Sequence, residues 1–112
     1  MPEVTLARAP IEDGKEDELR AWFAELEERE SEVIETLQHE GVYTETGFIL
    51  PEGDTSYLYV YMEAQDIEKA DAAGDEERYD IDEEHHELLR ETLAGGWDAL
   101  DTIGHLTNPH LR

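Results

Sequence analysis

The sequence predicts a single α+β domain, covering residues 1–112, in which a four-stranded antiparallel sheet carries helices on one face. Three observations lead to this fold class. A chain of 112 residues can bury one core without disulfides or metals. Its apolar residues switch between the two-residue spacing of strands and the three- to four-residue spacing of helices. These segments follow one another in the order β-α-β-β-α-β, which two βαβ halves adopt when they share one sheet.

The predicted sheet is arranged around residues 56–64, which read as an uninterrupted strand. Because successive side chains of a strand point to opposite faces, this segment separates into two stripes. The aliphatic stripe is expected to pack on the helices: Leu58, Val60, Met62 and Ala64. The aromatic and polar stripe is expected to face away from the helices, towards a partner subunit: Tyr57, Tyr59, Tyr61 and Glu63.

The N-terminal part of the chain is predicted to contain one strand and one long helix. Residues 4–11 alternate as a strand does, and Pro10 fits the strand's end because proline cannot donate to a sheet ladder. Residues 14–40 repeat apolar side chains at helical spacing. The charged segment 27–32 interrupts that apolar stripe, which is compatible with a bend or a break in the helix. Gly41 is a natural residue to follow the helix C-terminus.

The middle of the chain is predicted to form a hairpin. Residues 42–50 and 56–64 have strand patterns, and the turn between them, residues 51–54, is Pro-Glu-Gly-Asp. Two strand patterns that flank such a turn indicate antiparallel neighbours.

The C-terminal part is predicted to contain two helices and a last strand. Asp66 is expected to cap a short helix, and a third helix is expected to run from about Asp82 to Gly95 and Gly96. Residues 97–106 alternate as a strand does. With these elements in place, the predicted arrangement is ferredoxin-like.

The charge balance is strongly acidic, with 31 Asp and Glu residues against eight Lys and Arg, a formal net charge of −23. Self-repulsion of this size opposes compaction in dilute buffer, and molar salt screens it. The composition is therefore typical of proteins from salt-accumulating halophiles, and an archaeal source is expected. It also argues against nucleic acids or anionic membranes as partners.

The chain lacks cysteine, which excludes disulfides and a cysteine nucleophile. It has no apolar run of the roughly 20 residues that a membrane-spanning helix needs, and its first residues do not resemble a signal peptide. We therefore expect a cytoplasmic location. Motifs for nucleophilic serine, phosphate loops and zinc proteases are absent from the sequence, and no cofactor is expected.

A ferredoxin-like sheet leaves one face uncovered in a monomer. Here that face would carry the tyrosine stripe, which is too apolar to remain in water. A two-fold homodimer that packs sheet against sheet would cover it, so the expected partner is a second copy of the chain.

Two interpretations fit the tyrosine stripe of residues 57, 59 and 61. The tyrosines either line a small-molecule pocket inside the dimeric barrel or form a solid dimer core. The substitution Tyr59→Ala would distinguish them. Loss of the dimer supports a solid core, and loss of ligand binding in an intact dimer supports a pocket. Trp22 lies at helical spacing beside Phe23, and it is expected to belong to the core or, alternatively, to a pocket wall.

Three histidines are candidate site residues. His85 and His86 lie among carboxylates at metal-compatible spacing, but consecutive helical residues point about 100° apart, so a solvated acidic helix is favoured and no metal site is expected. His105 lies on the predicted last strand. It is the best single candidate for a general base because its imidazole titrates near neutrality, with a structural histidine as the alternative.

In layout the chain resembles the dimeric α/β-barrel superfamily, which includes rhamnose mutarotase-like proteins and antibiotic-biosynthesis-type monooxygenases. The resemblance rests on the first helix ending in His39-Glu40-Gly41 and on the hairpin that follows it. The segment Tyr-Asp-Ile-Asp-Glu-Glu-His-His, residues 79–86, is similar to a haloarchaeal and bacterial family of unknown function. Trp22 and Leu26 stand where a mutarotase has its helix-borne tyrosine and histidine, so no catalytic residue is carried over.

The leading functional hypothesis is therefore a small homodimeric domain that binds a small molecule in its barrel. The alternative is a cofactor-independent monooxygenase or isomerase that uses His105 with Tyr59 or Tyr61. This alternative requires a cavity that holds the histidine and the tyrosines within reach of one point.

Overall fold

The computed structural model describes residues 2–112 and has the predicted ferredoxin-like architecture. The elements follow in the order β1 Glu3–Pro10, α1 Glu16–Glu28, α2 Glu30–Glu40, β2 Val42–Glu52, β3 Thr55–Ala64, α3 Ile67–Gly74, α4 Asp80–Thr92, β4 Asp98–Ala99 and a 3₁₀ turn Pro109–Leu111. The four strands form one antiparallel sheet in the order β2-β3-β1-β4. The predicted fold class is confirmed.

The strand register confirms that the two stripes of β3 lie on different faces of the sheet. Leu58 is opposite Ala9 and Ile49, on the face that the helices cover. Tyr59 is opposite Arg8 and Phe48, on the other face. We call these the helix face and the open face of the sheet.

The long first helix is broken at Arg29, within the charged segment that interrupts its apolar stripe. Arg29 separates α1 from α2 with φ −93° and ψ 42°, outside the helical region. Its guanidinium binds carboxylates on all sides of the break, those of Glu25, Glu32 and Glu84. Gly41 ends α2 with a φ of 72°, the left-handed conformation that a glycine adopts without strain.

The last strand is much shorter than expected, and the prediction of a strand over residues 97–106 is wrong. β4 spans only Asp98–Ala99, paired with Arg8 and Ala7 of β1, and Leu100 adds one more bond to β1. The apolar side chains that suggested further alternation contact nothing within the chain, since Ile103 and Leu106 are each 99% exposed. A strand pattern needs a surface to pack on, and a single chain does not supply one here.

The core of the domain consists of two separate clusters on the helix face. Ile11, Leu19 and Leu58 form one, close to the hairpin turn. Val42, Ala64 and Ala70 form the other, where β2 begins and β3 ends. Since the two clusters lie at opposite ends of β3, the middle of the helix face is left less tightly packed.

Within residues 2–112, none of the helices combines the length and the apolar character that crossing a membrane would require.

Candidate functional site

A cavity of about 930 Å³ lies between the helices and the middle of the helix face. We call it the helix-side cavity. Its apolar wall comes from the helices, from β3 and from the segment before β4: Phe23, Leu26, Val33, Leu37, Val60, Met62, Leu89 and Trp97. Its polar wall comes from α2, β2 and α4: Thr36, Glu40, Glu45, Asp82, His85 and His86.

Small residues on the sheet floor leave room for this cavity. Thr5 and Ala7 of β1 and Gly47 of β2 line it opposite the larger side chains of β3. A methyl group on Gly47 would lie 2.8 Å from the ring of Phe23, so the phenyl ring packs directly on the glycine backbone. Larger side chains at these positions would fill the space above the sheet, and the small residues leave it open.

A hydrogen bond from Trp22 determines the chemical state of His85. The indole Nε1–H of Trp22 donates to Nδ1 of His85 over 2.8 Å. Because an indole nitrogen only donates, Nδ1 must be the unprotonated, accepting nitrogen. Burial lowers the pKa of His85 to about 4, with a further lowering from His86 that Asp82 partly opposes. At neutral pH the ring is therefore neutral and carries its proton on Nε2.

This tautomer makes His85 a hydrogen-bond donor at the cavity wall. Among residues 2–112, Nε2 of His85 has no hydrogen-bond partner, and the side chain lines the cavity. The neighbouring His86 is different, since its Nε2 lies 2.8 Å from the carbonyl oxygen of Gly74 and its Nδ1 lies 3.3 Å from Glu77. Of the two consecutive histidines, only His85 has a free ring nitrogen.

Six carboxyl groups line the cavity, and the three on α2, β2 and α4 differ in their partners. Asp82 accepts hydrogen bonds from Oγ1 of Thr36 over 2.5 Å and from the backbone N–H of Tyr79 over 3.0 Å, which holds the first turn of α4. Glu40 and Glu45 have no such bond within the described chain. Asp82 is therefore structural, whereas the other two carboxyl groups are available.

Burial shifts both available carboxyl groups towards their neutral form. The pKa of Glu40 rises to about 7, first because of burial and then because Glu45 and Asp82 are nearby. Burial alone raises the pKa of Glu45. Glu45 nevertheless remains exposed, because solvent reaches its side chain through the cavity. A carboxyl group that titrates near neutrality at a cavity wall can accept or donate a proton.

The tyrosine stripe does not line the helix-side cavity, because it lies on the open face. Tyr57, Tyr59 and Tyr61 are half-buried and pair across strands with open-face residues. Arg8 lies 4.3 Å from the ring centre of Tyr57 and donates to the hydroxyl oxygen of Tyr59 over 3.2 Å. Phe48, on the neighbouring strand, is 55% exposed.

Glu63 and His105 also lie on the open face. The C-terminal segment covers Glu63 and contains His105. Arg112 forms a bidentate ion pair with the buried Glu63 carboxylate, with one of its two bonds at 2.7 Å. This pair lowers the pKa of Glu63. Nε2 of His105 is 3.9 Å from the same carboxylate. The sheet therefore separates His105 from the cavity.

Of the residues singled out from the sequence, Trp22 contacts the cavity wall through His85, while His105, Glu63 and the tyrosines group together on the open face. Sequence reasoning missed Glu40 and Glu45 as wall residues. Glu45 faces the helices because the register shifts between Val42 and Thr44, so that Glu45 is opposite Met62. A bulge of this kind leaves no mark in a simple alternation of residue types.

Known proteins support the fold and the family. A family model described as "Family of unknown function (DUF6176)" matches residues 2–112. No curated protein matches the chain. The expected resemblance to a family of unknown function is confirmed.

Several solved structures share the fold at low sequence identity. An L-rhamnose mutarotase from Formosa agariphila is 12% identical with a TM-score of 0.63, over 94% of this chain and 99% of that one. SnoaB, a cofactor-independent oxygenase from Streptomyces nogalater, is 16% identical with a TM-score of 0.57, over 96% and 98%. A putative monooxygenase from Fusobacterium nucleatum is 14% identical with a TM-score of 0.57, over 88% of this chain but only 41% of that one.

Proposed function

The chain belongs to DUF6176, a family of unknown function, and from its own residues we propose that it binds a small organic molecule in the helix-side cavity. One observation carries this proposal. The cavity, of about 930 Å³, combines an apolar wall with a few polar groups that point into the same space. Ligand sites in proteins have this composition and volumes of about 300–1,000 Å³.

The energetics of packing support a ligand site over a packing defect. Protein interiors are close-packed, with few voids larger than a water molecule. A groove of this size that is open to solvent leaves apolar side chains in contact with water, and covering them recovers free energy. Here small residues on the floor and unpaired polar groups on the wall keep the space open. A bound molecule would restore the missing contacts.

We also propose that the functional unit is a homodimer joined through the open faces. Phe48 and Leu50 on that face are 55% and 49% exposed, and the tail beyond β4 presents Ile103 and Leu106 to solvent. Side chains of this size in water favour association. The dimer would enclose the tyrosine stripe, and any site using His105 with Tyr59 or Tyr61 would form there rather than in the helix-side cavity.

A second candidate function is a cofactor-independent oxygenase or isomerase. One observation favours it, which is the carboxyl group of Glu40, whose pKa of about 7 suits a general base at the cavity wall. The structural neighbours include a cofactor-independent oxygenase and a mutarotase, which agrees with this class at the level of fold only. Proton abstraction from a bound molecule by Glu40 would be the common step.

The cavity is tested by filling it. Ala7→Phe places a phenyl group on the cavity floor, and Ala72→Phe makes the same change on the exposed surface of α3. Native mass spectrometry of the purified proteins, followed by a thermal-shift screen of small molecules, should show bound or stabilising compounds with wild type and Ala72→Phe but not with Ala7→Phe. Equal binding by all three proteins would place the ligand elsewhere.

The proposed setting is the cytoplasm of a salt-accumulating, archaeal-type cell. The formal charge of −23 and the presence of only two lysines, Lys15 and Lys69, support it. Circular dichroism should show loss of secondary structure when the salt is reduced from molar to millimolar KCl. An unchanged spectrum would contradict salt adaptation.

A further inference from the structure

We propose that the Nε2–H group of His85 donates the hydrogen bond by which the helix-side cavity recognises its ligand. The ligand is then an uncharged molecule that carries an oxygen acceptor, such as a carbonyl group, on an apolar body. The inference rests on the proposed binding function and names the class of molecule that this site would accept.

The hydrogen bond from Trp22 leaves one donor of His85 free. The indole of Trp22 has a single N–H, and it donates to Nδ1 of His85 over 2.8 Å. The proton of the neutral imidazole is therefore on Nε2. The side chain of His85 lines the cavity, and no residue among 2–112 accepts a hydrogen bond from Nε2. A molecule in the cavity can supply that acceptor.

Aromatic packing holds the imidazole ring of His85 in place before a ligand binds. The ring of Trp22 stacks on it, with centroids 6.0 Å apart and an interplanar angle of 26°. The ring of Phe23 meets it edge-on, with a centroid distance of 6.5 Å and an angle of 81°. Phe23 in turn packs on the backbone of Gly47. Because the donor is already oriented, a bond to the ligand costs little conformational entropy.

The adjacent histidine shows that a free donor is not a general property of α4. Nε2 of His86 lies 2.8 Å from the carbonyl oxygen of Gly74, and its Nδ1 lies 3.3 Å from Glu77. Both ring nitrogens of His86 therefore have partners within the chain, whereas His85 has a partner for Nδ1 only. Polar atoms that are removed from bulk solvent are normally paired. The acceptor for Nε2–H must therefore come from outside the chain, and a ligand oxygen can replace a water molecule there.

The rest of the cavity wall restricts the body and the charge of the ligand. Leu26, Val33 and Leu89 present apolar surface to the same space, which suits an apolar body. Six carboxyl groups line the cavity, and no lysine or arginine is among the described residues that line it. An anionic ligand would meet charges of its own sign with no cation to offset them. We therefore expect the acceptor oxygen to belong to an uncharged group.

A matched pair of probes tests the acceptor. Acetophenone and α-methylstyrene have nearly the same shape, and the carbonyl oxygen of the first takes the place of a methylene group in the second. Titration of each probe in molar KCl, followed by the NMR signals of the cavity residues, gives the ratio of their dissociation constants. Benzoate, which carries an anionic acceptor, should bind at least about tenfold more weakly than acetophenone. Tighter binding of benzoate would contradict an uncharged ligand.

A substitution at His85 isolates the donor. In His85→Asn the amide oxygen can still accept from the indole of Trp22, but nothing replaces Nε2–H. The preference for acetophenone over α-methylstyrene should therefore fall by about three- to tenfold, the usual effect of one hydrogen bond. His86→Asn is the matched change at the next residue, whose Nε2 already has Gly74 as its partner, and it should leave the preference unchanged. An equal fall in both variants would overturn the assignment of the donor to His85.

Infrared spectroscopy tests the hydrogen bond directly and needs only the wild-type protein. Acetophenone that is isotope-labelled at its carbonyl carbon should show a lower carbonyl stretching frequency when bound than in hexane, because a hydrogen bond weakens the C=O bond. The shift should disappear in His85→Asn and persist in His86→Asn. An unshifted band in wild type would overturn the inference even if His85→Asn failed to fold, and so would a shift that persists in a folded His85→Asn.

The Ala7→Phe variant separates this inference from the proposed function. Binding of both probes that is lost in Ala7→Phe but has the same ratio in wild type and His85→Asn would overturn the role of His85 and leave the cavity as the binding site. Binding that is unchanged in Ala7→Phe would place the probes outside the cavity and contradict both proposals.

Discussion

The two faces of the sheet differ in whether their polar side chains have partners. On the open face, polar side chains are paired, Arg8 with Tyr59 and Glu52, and Glu63 with Arg112. On the helix face, Glu40 and Glu45 border a cavity without a partner in the described chain. Paired groups contribute to structure, and unpaired groups beside an open volume are available to a ligand. This difference supports the proposals that the open face associates with a second copy of the chain and that the helix face binds a ligand.

The largest expected effect compares the loss of stability at a tightly packed position of the helix face with the loss at the cavity wall. Leu19→Ala removes a fully buried side chain in the cluster with Ile11 and Leu58, outside the residues that line the helix-side cavity, and should lower the free energy of unfolding by about 2–5 kcal/mol. Leu26→Ala is the matched change at the half-buried cavity wall, where about 1 kcal/mol is expected because less apolar surface is lost. Denaturant unfolding in molar KCl measures both. Equal losses would contradict a hollow middle of the core.

The next effect concerns the polar wall. Trp22→Phe keeps an aromatic ring but removes the N–H that binds Nδ1 of His85, at an expected cost of about 1–3 kcal/mol. The pKa of His85 should rise from about 4, because Nδ1 becomes free to take a proton. NMR titration of the His85 ring measures this pKa. Trp97→Phe, at a 44% exposed tryptophan, should cost less than about 0.5 kcal/mol and leave that pKa unchanged. An unchanged pKa in Trp22→Phe would contradict the tautomer assigned here.

A smaller effect distinguishes the two faces by pH. The pKa of Glu40 is about 7 in the folded protein, above its value in the unfolded chain, so the folded state retains a proton that the unfolded state loses. Stability should therefore fall as the pH rises from about 4.5 to about 7, by about 1–2 kcal/mol once screening by cavity solvent is allowed for. Glu45 and Asp82 face this group and would share part of the effect.

Chemical denaturation across this pH range measures the loss. Glu40→Gln should flatten the dependence of stability on pH. Glu28→Gln, which changes an exposed carboxylate of α1, should not. A profile of unchanged slope in Glu40→Gln would show that another group is responsible.

The smallest effect concerns the open face, where the sign of the pH dependence is reversed. Arg112 lowers the pKa of Glu63, so their contribution to stability is present above the unfolded-state pKa and is lost as the pH falls through the lowered folded-state value. Arg112→Ala should release the C-terminal segment with little change in global stability. Hydrogen exchange of residues 100–112 should increase, and Arg20→Ala, which breaks the exposed pair with Asp17, should not change it. Protection equal to wild type would show that the tail is held by other contacts.

Local patterns predicted most of the fold correctly. The alternation of residues 56–64, the Pro-Glu-Gly-Asp turn and the helical spacing before Gly41 are short-range signals, and each corresponds to an element in the structure. The final strand was overestimated because Ile103 and Leu106 alternate without any surface to pack on inside one chain. The periodicity of a sequence predicts the direction in which a side chain points. Whether that side chain is buried depends on the element that packs against it.

The candidate site was harder to predict, because it is made of residues that are far apart in sequence. Trp22 and His85 are 63 positions apart and meet only when α1 and α4 pack together. Glu45 faces the helices because of the register shift at the start of β2. Neither relation has a local signature in the sequence. His105 does have one, because it occupies a regular position in an alternating pattern, and the sequence therefore predicts His105 as a site residue but not the cavity wall.

By itself, the sequence determined the class of fold, the family-level resemblance, the acidic composition and the separation of β3 into an aliphatic and an aromatic stripe. These properties depend on spacing and composition, which the chain carries before it folds. Only the tertiary structure decided that the volume lies on the aliphatic side, that His85 is a neutral donor, and that Glu40 and Glu45 lack a partner. The reason is physical: a pKa, a tautomer and an empty volume depend on the atoms that surround a group, and distant elements supply those atoms.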